Sequence, residues 1–185
     1  MKAAIDDPAP VKFSFAPVTD ASTRLLILGS LPGELSLVRG QYYGNPRNQF
    51  WKLIGAAVDA DVEALDYEPR LAALTAAGVG LWDVVRSARR SGSLDGAIRD
   101  HQPNALADLA ASLPALRAIA FNGGKAASIG RRQLGEPHGW QLLDLPSSSP
   151  AYTMPFDAKL ARWLELRPYL ADSPTRRATG SGAMD

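Results

Sequence analysis

Apolar residues along this chain fall into two alternating arrangements: short unbroken runs, and stretches where they recur every three or four positions. The runs RLLIL (24–28), VGLWDVV (79–85), LRAIAFN (116–122) and WQLLDL (140–145) predict buried strands, since a strand covered on both faces needs no polar alternation. Helical periods lie between them. Asn45 as N-cap and Pro46 at the first helical position open QFWKLIGAAV, whose apolar positions 50, 51, 54, 57 and 58 share one face. PRLAALTAA stops at Gly78, a glycine suited to a helix C-terminus. A helix over 105–113 takes Asn104 as its cap, KAASIGRRQL follows Gly123 and Gly124, and AKLARWLELR ends before Pro168.

Strand–helix alternation implies parallel strands with helices on both faces. The expected fold class is therefore α/β, a three-layer α/β/α arrangement around a four-stranded parallel sheet. Right-handed crossovers bring every strand's carboxyl end to one edge, where ligands of such sheets bind. Four loops should meet there: GSLPG (29–33), Asp83 with the arginines behind it, the turn from Asn122 to Lys125, and PSSSP (146–150). The domain is expected over 16–170, with an N-terminal tail over 1–15 and a disordered C-terminal tail over 171–185 that carries Arg176 and Arg177.

Composition narrows the chemistry. The 185 residues contain no cysteine, which excludes disulfides, cysteine-ligated clusters, zinc ribbons and thiol nucleophiles. The two histidines, His101 and His138, fall in loops away from any carboxylate pair, so neither a metal site nor a cofactor is expected. No segment approaches the ~20 apolar residues that span a bilayer, and the first ten residues lack the apolar stretch of a secretory signal. A cytoplasmic protein that stays off membranes is expected. Net charge is only +1, but it is unevenly spread. Residues 59–68 hold five acids and no base, as a solvated connection would. Residues 86–99 hold Arg86, Arg89, Arg90 and Arg99 against Asp95 alone, beside the expected ligand edge.

Single positions at that edge invite chemistry, and most have a plain reading beside it. Gly29 and Ser30 open a tight turn where backbone can approach a ligand, or simply a strand-to-loop turn. Lys125 follows two glycines at a helix start, a place for an anion, although the spacing excludes a nucleotide P-loop. Ser147, Ser148 and Ser149 offer short donors suited to phosphate, or a capped polar turn. Asn48 stands in a first helical turn beside Tyr42, Tyr43 and Gly44, an aromatic loop on which a base could stack. Asp83 lies in an apolar strand, where a carboxylate is costly unless it is useful or pairs with Arg86, Arg89 or Arg90. Trp51, Trp82, Trp140 and Trp163 take core positions.

The segments 28–34 (LGSLPGE), 42–52 (YYGNPRNQFWK), 80–99, 121–127 (FNGGKAA) and 145–153 (LPSSSPAYT) resemble the uracil-DNA glycosylase superfamily. Within it they resemble the hypoxanthine-DNA glycosylase (DNA-deoxyinosine glycosylase) family. YYGNPRNQFW is specific; GSLPG alone is not. The resemblance implies a four-stranded parallel sheet between helices and a monofunctional, monomeric base-excision-repair enzyme whose partner is DNA carrying deaminated bases, working at the nucleoid if the source is bacterial or archaeal. It implies Asn48 as the catalytic asparagine, orienting water at C1′, with Asn122 donating to the departing hypoxanthine. Asp83 would accept the N1–H of hypoxanthine, where adenine presents a lone pair. Tyr43, Gly29 and Ser30 would complete the base site, and Lys125, Ser147, Ser148, Ser149 and Arg90 would hold DNA phosphates. Leu31 stands where mismatch-specific uracil enzymes carry a water-positioning asparagine, and the serine run replaces the histidine of uracil-specific enzymes. Hypoxanthine is thus expected over uracil. A uracil- or mismatch-specific glycosylase, a non-catalytic lesion binder, and an unrelated small-molecule enzyme on the same sheet are the alternatives.

Overall fold

The computed structural model describes residues 9–135 and 139–171. In chain order, β1 (Val11–Phe13) and β2 (Leu25–Gly29) precede α1 (Glu34–Arg39), α2 (Phe50–Val58) and α3 (Tyr67–Ala76). Next come β3 (Val79–Asp83), β4 (Val85–Arg89), β5 (Arg99–Pro103), α4 (Leu106–Ser112) and β6 (Ala118–Asn122). The chain closes with α5 (Gly124–Leu134), β7 (Gln141–Leu145), α6 (Phe156–Trp163) and α7 (Arg167–Leu170).

The four apolar runs supply a four-stranded sheet of order β3-β2-β6-β7, parallel throughout. Successive residues of central β2 point to opposite faces, and both faces are dry. Leu25 and Ile27 pack with Phe50, Ile54, Leu74 and Trp163; Leu26 and Leu28 pack with Val84, Leu106, Phe121 and Ile129. Each such side chain contributes roughly 1.5–3 kcal/mol by leaving water. That two-sided burial is the expected three-layer α/β/α architecture. Register places Gly29 opposite Asp83 and Asn122 opposite Leu145, so the carboxyl ends form one edge. Among the described residues no helix is long and apolar enough to cross a membrane.

Several local expectations are corrected. Residues 11–13, expected within the N-terminal tail, form an edge strand of a second, antiparallel sheet, β1-β4-β5. β1 buries Lys12, whose Nζ meets Glu34 at 3.0 Å and the Gly92 carbonyl at 2.6 Å, while Phe13 stays 61% exposed. The stretch after Asp83, expected as a basic loop, is largely β4. Pro46 does not start α2: residues 45–48 make a turn, with Asn48 N–H bonded to the Asn45 carbonyl, and the helix begins at Phe50. Asn104 does not cap α4; its Nδ2 donates to the Asp83 carbonyl at 2.8 Å and to Ser14 Oγ at 3.0 Å. The last helical stretch does not stop before Pro168, which sits in the first turn of α7, where its missing N–H costs nothing. His138, Arg176 and Arg177, and all of the C-terminal tail beyond residue 171, lie outside the described residues.

Candidate active site

The carboxyl edge opens into a cleft of about 770 Å³. Its walls are the loop after β2, the segment 42–48, the turn between β4 and β5, and the loops after β6 and β7. Gly29, Ser30, Tyr43, Asn48, Asp83, Asn122, Lys125, Ser147, Ser148 and Ser149 all line it. Arg90 does not.

Asp83 ends β3 at the floor, 4% exposed. Its Oδ2 is buried without a hydrogen-bond partner, and none of the neighbouring arginines forms an ion pair with it. Burial pushes its pKa up to about 7, Asp95 pushes the same way, and Arg90 pulls back. The floor is open because the residue beside it is glycine: a Cβ on Gly29 would stand 2.7 Å from Asp83 Oδ1 and 3.3 Å from the Tyr43 hydroxyl. Ser30, one residue on, donates its hydroxyl to Asp95.

Tyr43 holds a left-handed backbone, φ 52°, that turns its ring onto Phe50, centroids 3.7 Å apart and planes 9° apart. One face of Tyr43 is therefore covered already. Trp51 Nε1 donates to the Tyr43 carbonyl at 3.2 Å and fixes the turn. Burial, then the Asp83 charge, raise the Tyr43 hydroxyl's pKa, so the phenol stays protonated. Tyr42 belongs to the core, its hydroxyl on the Ala16 carbonyl.

Asn48 lies two residues before α2, whose N-cap is Gln49, and closes a turn onto it: Oδ1 accepts from the Phe50 N–H at 2.9 Å. A carbonyl oxygen has two lone pairs, so one is left for a water, in a fixed direction. Asn122, at the end of β6, is held from every side. Its Oδ1 accepts from Ser148 N–H at 2.9 Å, and its Nδ2 donates to Ser148 Oγ at 2.8 Å and Tyr43 Oη at 3.3 Å. Gly123 follows with φ 101°, and a side chain there would strike Ser147, so the turn can close only as glycine.

Two residues read as phosphate ligands are placed otherwise. Arg90 is fully buried and spends its guanidinium on the carbonyls of Leu31, Pro32 and Gly92. It shapes the GSLPG loop from behind and cannot reach DNA. Ser148 is buried too, engaged on Asn122 through both its amide and its hydroxyl. Lys125, Ser147 and Ser149 stay half-buried on the wall. Leu94 and Asp95, from the turn between β4 and β5, also line the cleft and carried no signal in sequence beyond lying in the 80–99 segment. Among the described residues no group of three acidic or histidine side chains could hold a metal ion.

Comparison with known proteins bears on this site. The model of the uracil DNA glycosylase superfamily matches residues 16–170. This chain belongs to the uracil-DNA glycosylase superfamily. A hypoxanthine DNA glycosylase of Methanosarcina barkeri is 37% identical over 154 residues, 83% of this chain and 96% of that relative. A hypoxanthine DNA glycosylase of Methanosarcina acetivorans is 42% identical over 141 residues, 76% of this chain and 88% of its own length. A solution NMR structure of a Methanosarcina acetivorans protein, described as a candidate uracil DNA glycosylase, superposes with a TM-score of 0.77 at 37% identity, covering 87% of this chain and 99% of that one. In this superfamily member the cleft at the sheet's carboxyl edge is thus the place to look for base excision.

Proposed function

We propose that this superfamily member is a monofunctional DNA glycosylase that hydrolyses the N-glycosidic bond of deoxyinosine and releases hypoxanthine. The observation that carries the reading is Asp83, a buried carboxylate whose Oδ2 has no hydrogen-bond partner among the described residues, facing a cleft that Asn48 and Asn122 also line. A nucleotide must leave the duplex to enter such a cleft. An ionised carboxylate only accepts hydrogen bonds, so it pairs with hypoxanthine N1–H and repels the lone pair of adenine N1, a difference of ~1–3 kcal/mol. Tyr43, which lines the cleft, is the ring on which the base would stack.

In the reaction the C1′–N9 bond breaks with its electron pair going to the base, and water oxygen bonds to C1′. The proton that water loses is balanced by the one the base gains. Asn48 Oδ1 orients that water with its free lone pair. The base carbonyl replaces the Tyr43 hydroxyl as an acceptor for Asn122 Nδ2, stabilising charge as the base departs. Lys125, Ser147 and Ser149 hold flanking phosphates. We take residues 16–170 as the catalytic domain of a cytoplasmic monomer.

Uracil is the second reading, since its N3–H would satisfy Asp83 in the same way. The test is a duplex carrying one inosine, or one uracil, treated with protein and then with alkali to cleave abasic sites. Strand scission at inosine that is faster than at uracil, and lost in Asn48→Ala, is the expected result. Binding without scission at either base, under excess protein, would instead make this a lesion-binding protein.

A further inference from the structure

The apolar stripe of α6 runs through Phe156, Leu160 and Trp163, and position 159 falls on it. That position is a lysine, 1% exposed. A buried ammonium without a counter-charge is expensive, and Lys159 forms no ion pair with any described residue. Burial alone pulls its pKa down. Its Nζ instead donates to Gln49 Oε1 at 3.0 Å and to the Ser149 carbonyl at 3.4 Å, and stands 5.4 Å from the ring centre of Tyr152.

Those partners sit on two separate loops of the cleft. Gln49 lies between Asn48 and the first residue of α2, and its own N–H donates to the Ser148 carbonyl at 3.0 Å. Gln49 is thus fastened at the backbone by Ser148 and at the side chain by Lys159. The bond from Phe50 N–H to Asn48 Oδ1 spans Gln49, so the freedom of that residue sets the freedom of the asparagine. Ser148 is also the residue that grips Asn122. One ammonium therefore ties the segment that carries Asn48 to the serine loop that grips Asn122.

We propose that Lys159 is a positioning residue of the glycosylase reaction, holding Asn48 at a fixed direction through Gln49 and the serine loop. The proposal rests on the glycosylase reading above. Lys159 lies behind the cleft and does not line it.

The test uses Lys159→Met, Gln49→Met and the double variant on an inosine duplex. With enzyme saturating, single-turnover release should fall on the order of 100-fold in Lys159→Met while DNA affinity holds, as for lost orientation. The double variant should be no slower than the slower single one, because both break the same link. Amide exchange supplies a readout independent of activity: the Phe50 N–H should exchange faster in Lys159→Met while the Ile27 N–H of β2 stays protected. A wild-type release rate in Lys159→Met, equal loss of protection at Phe50 and Ile27, or losses that multiply in the double variant would each overturn the proposal. Should Lys159→Met fail to fold, Gln49→Met removes the bond from its half-buried side and carries the rate and exchange tests alone. Should the wild type release no hypoxanthine at all, the glycosylase reading falls, and the exchange measurement still decides whether Lys159 holds Asn48.

Discussion

Asp83→Asn keeps the shape of the side chain and removes its charge, so it probes both the energetics of the cleft and its choice of base. Burial raises the Asp83 pKa from 3.8 to about 7. Between those values the folded chain binds more protons than the unfolded one, so stability falls as pH rises, and the whole penalty is present above about pH 7. A gap of about three pH units, at about 1.4 kcal/mol each, is about 4 kcal/mol. Near pH 5 part of that window has been crossed, leaving about two pH units, so from there to pH 8.5 the variant should gain about 3 kcal/mol on the wild type. Any constant cost of burying the amide cancels in that comparison. Urea unfolding of both proteins at the two pH values measures it. Specificity should move too. Wild-type excision of hypoxanthine should rise through about pH 7 as the carboxylate forms, and the variant's should not. An amide offers adenine a donor for N1 and an acceptor for N6–H, so the variant should discriminate less against adenosine. A stability difference that is the same at both pH values, with a wild-type rate flat through pH 7, would refute the assignment of Asp83 as an ionising base acceptor.

Gly29→Ala places a Cβ 2.7 Å from Asp83 Oδ1 and must displace the carboxylate or the strand. It should cost ~1–3 kcal/mol by overpacking and abolish hypoxanthine release, as followed by thermal unfolding and single-turnover scission. Arg90→Met leaves the carbonyls of Leu31 and Pro32 without their donor, while Gly92 keeps the Lys12 ammonium. At ~1–3 kcal/mol for each unsatisfied group, urea unfolding should show a loss of at least about 2 kcal/mol. Because Arg90 faces inward, the slope of log Kd against log salt for DNA should stay that of the wild type.

The parallel sheet was legible because its strands are buried on both faces and so read as unbroken apolar runs. The site followed from topology, since Gly29, Asp83, Asn122 and the serine loop must share the carboxyl edge. The second sheet lacked that signal for three separate reasons. β1 inverts the usual pattern, burying Lys12 and exposing Phe13. β4, VRSAR, hides its few apolar positions among arginines. β5, RDHQP, is exposed at every residue and is held by strand pairing rather than burial. Composition also could not show which way a basic side chain points. Arg90 and Lys159 look like surface charge in sequence, and both are satisfied by carbonyls inside the fold. Asn45 followed by Pro46 suits a turn as well as a helix start, and the turn at 45–48 moves the start of α2 to Phe50.

The inward placement of these cations changes what near-neutrality means for a DNA enzyme. Lys12 and Arg90 neutralise no phosphate. With Ser93, whose hydroxyl accepts from the Glu34 N–H, and the Ser30–Asp95 bond, they pin the GSLPG loop to the turn between β4 and β5. The second sheet therefore works as a clamp that fixes one wall of the cleft, with Lys12 and Arg90 engaged inside it while Arg86 and Arg99 stay exposed. The cations and hydroxyls that line the cleft are a smaller set: Lys125 at the start of α5, the hydroxyls of Ser147 and Ser149, and exposed Arg47 beside Asn48. Attraction to phosphate acts on every duplex alike, so it does not distinguish damaged DNA from the rest. On the proposed reading, selection falls to the pocket itself, where Gly29, Asp83 and Asn122 line the floor and a base enters when its edge matches a carboxylate.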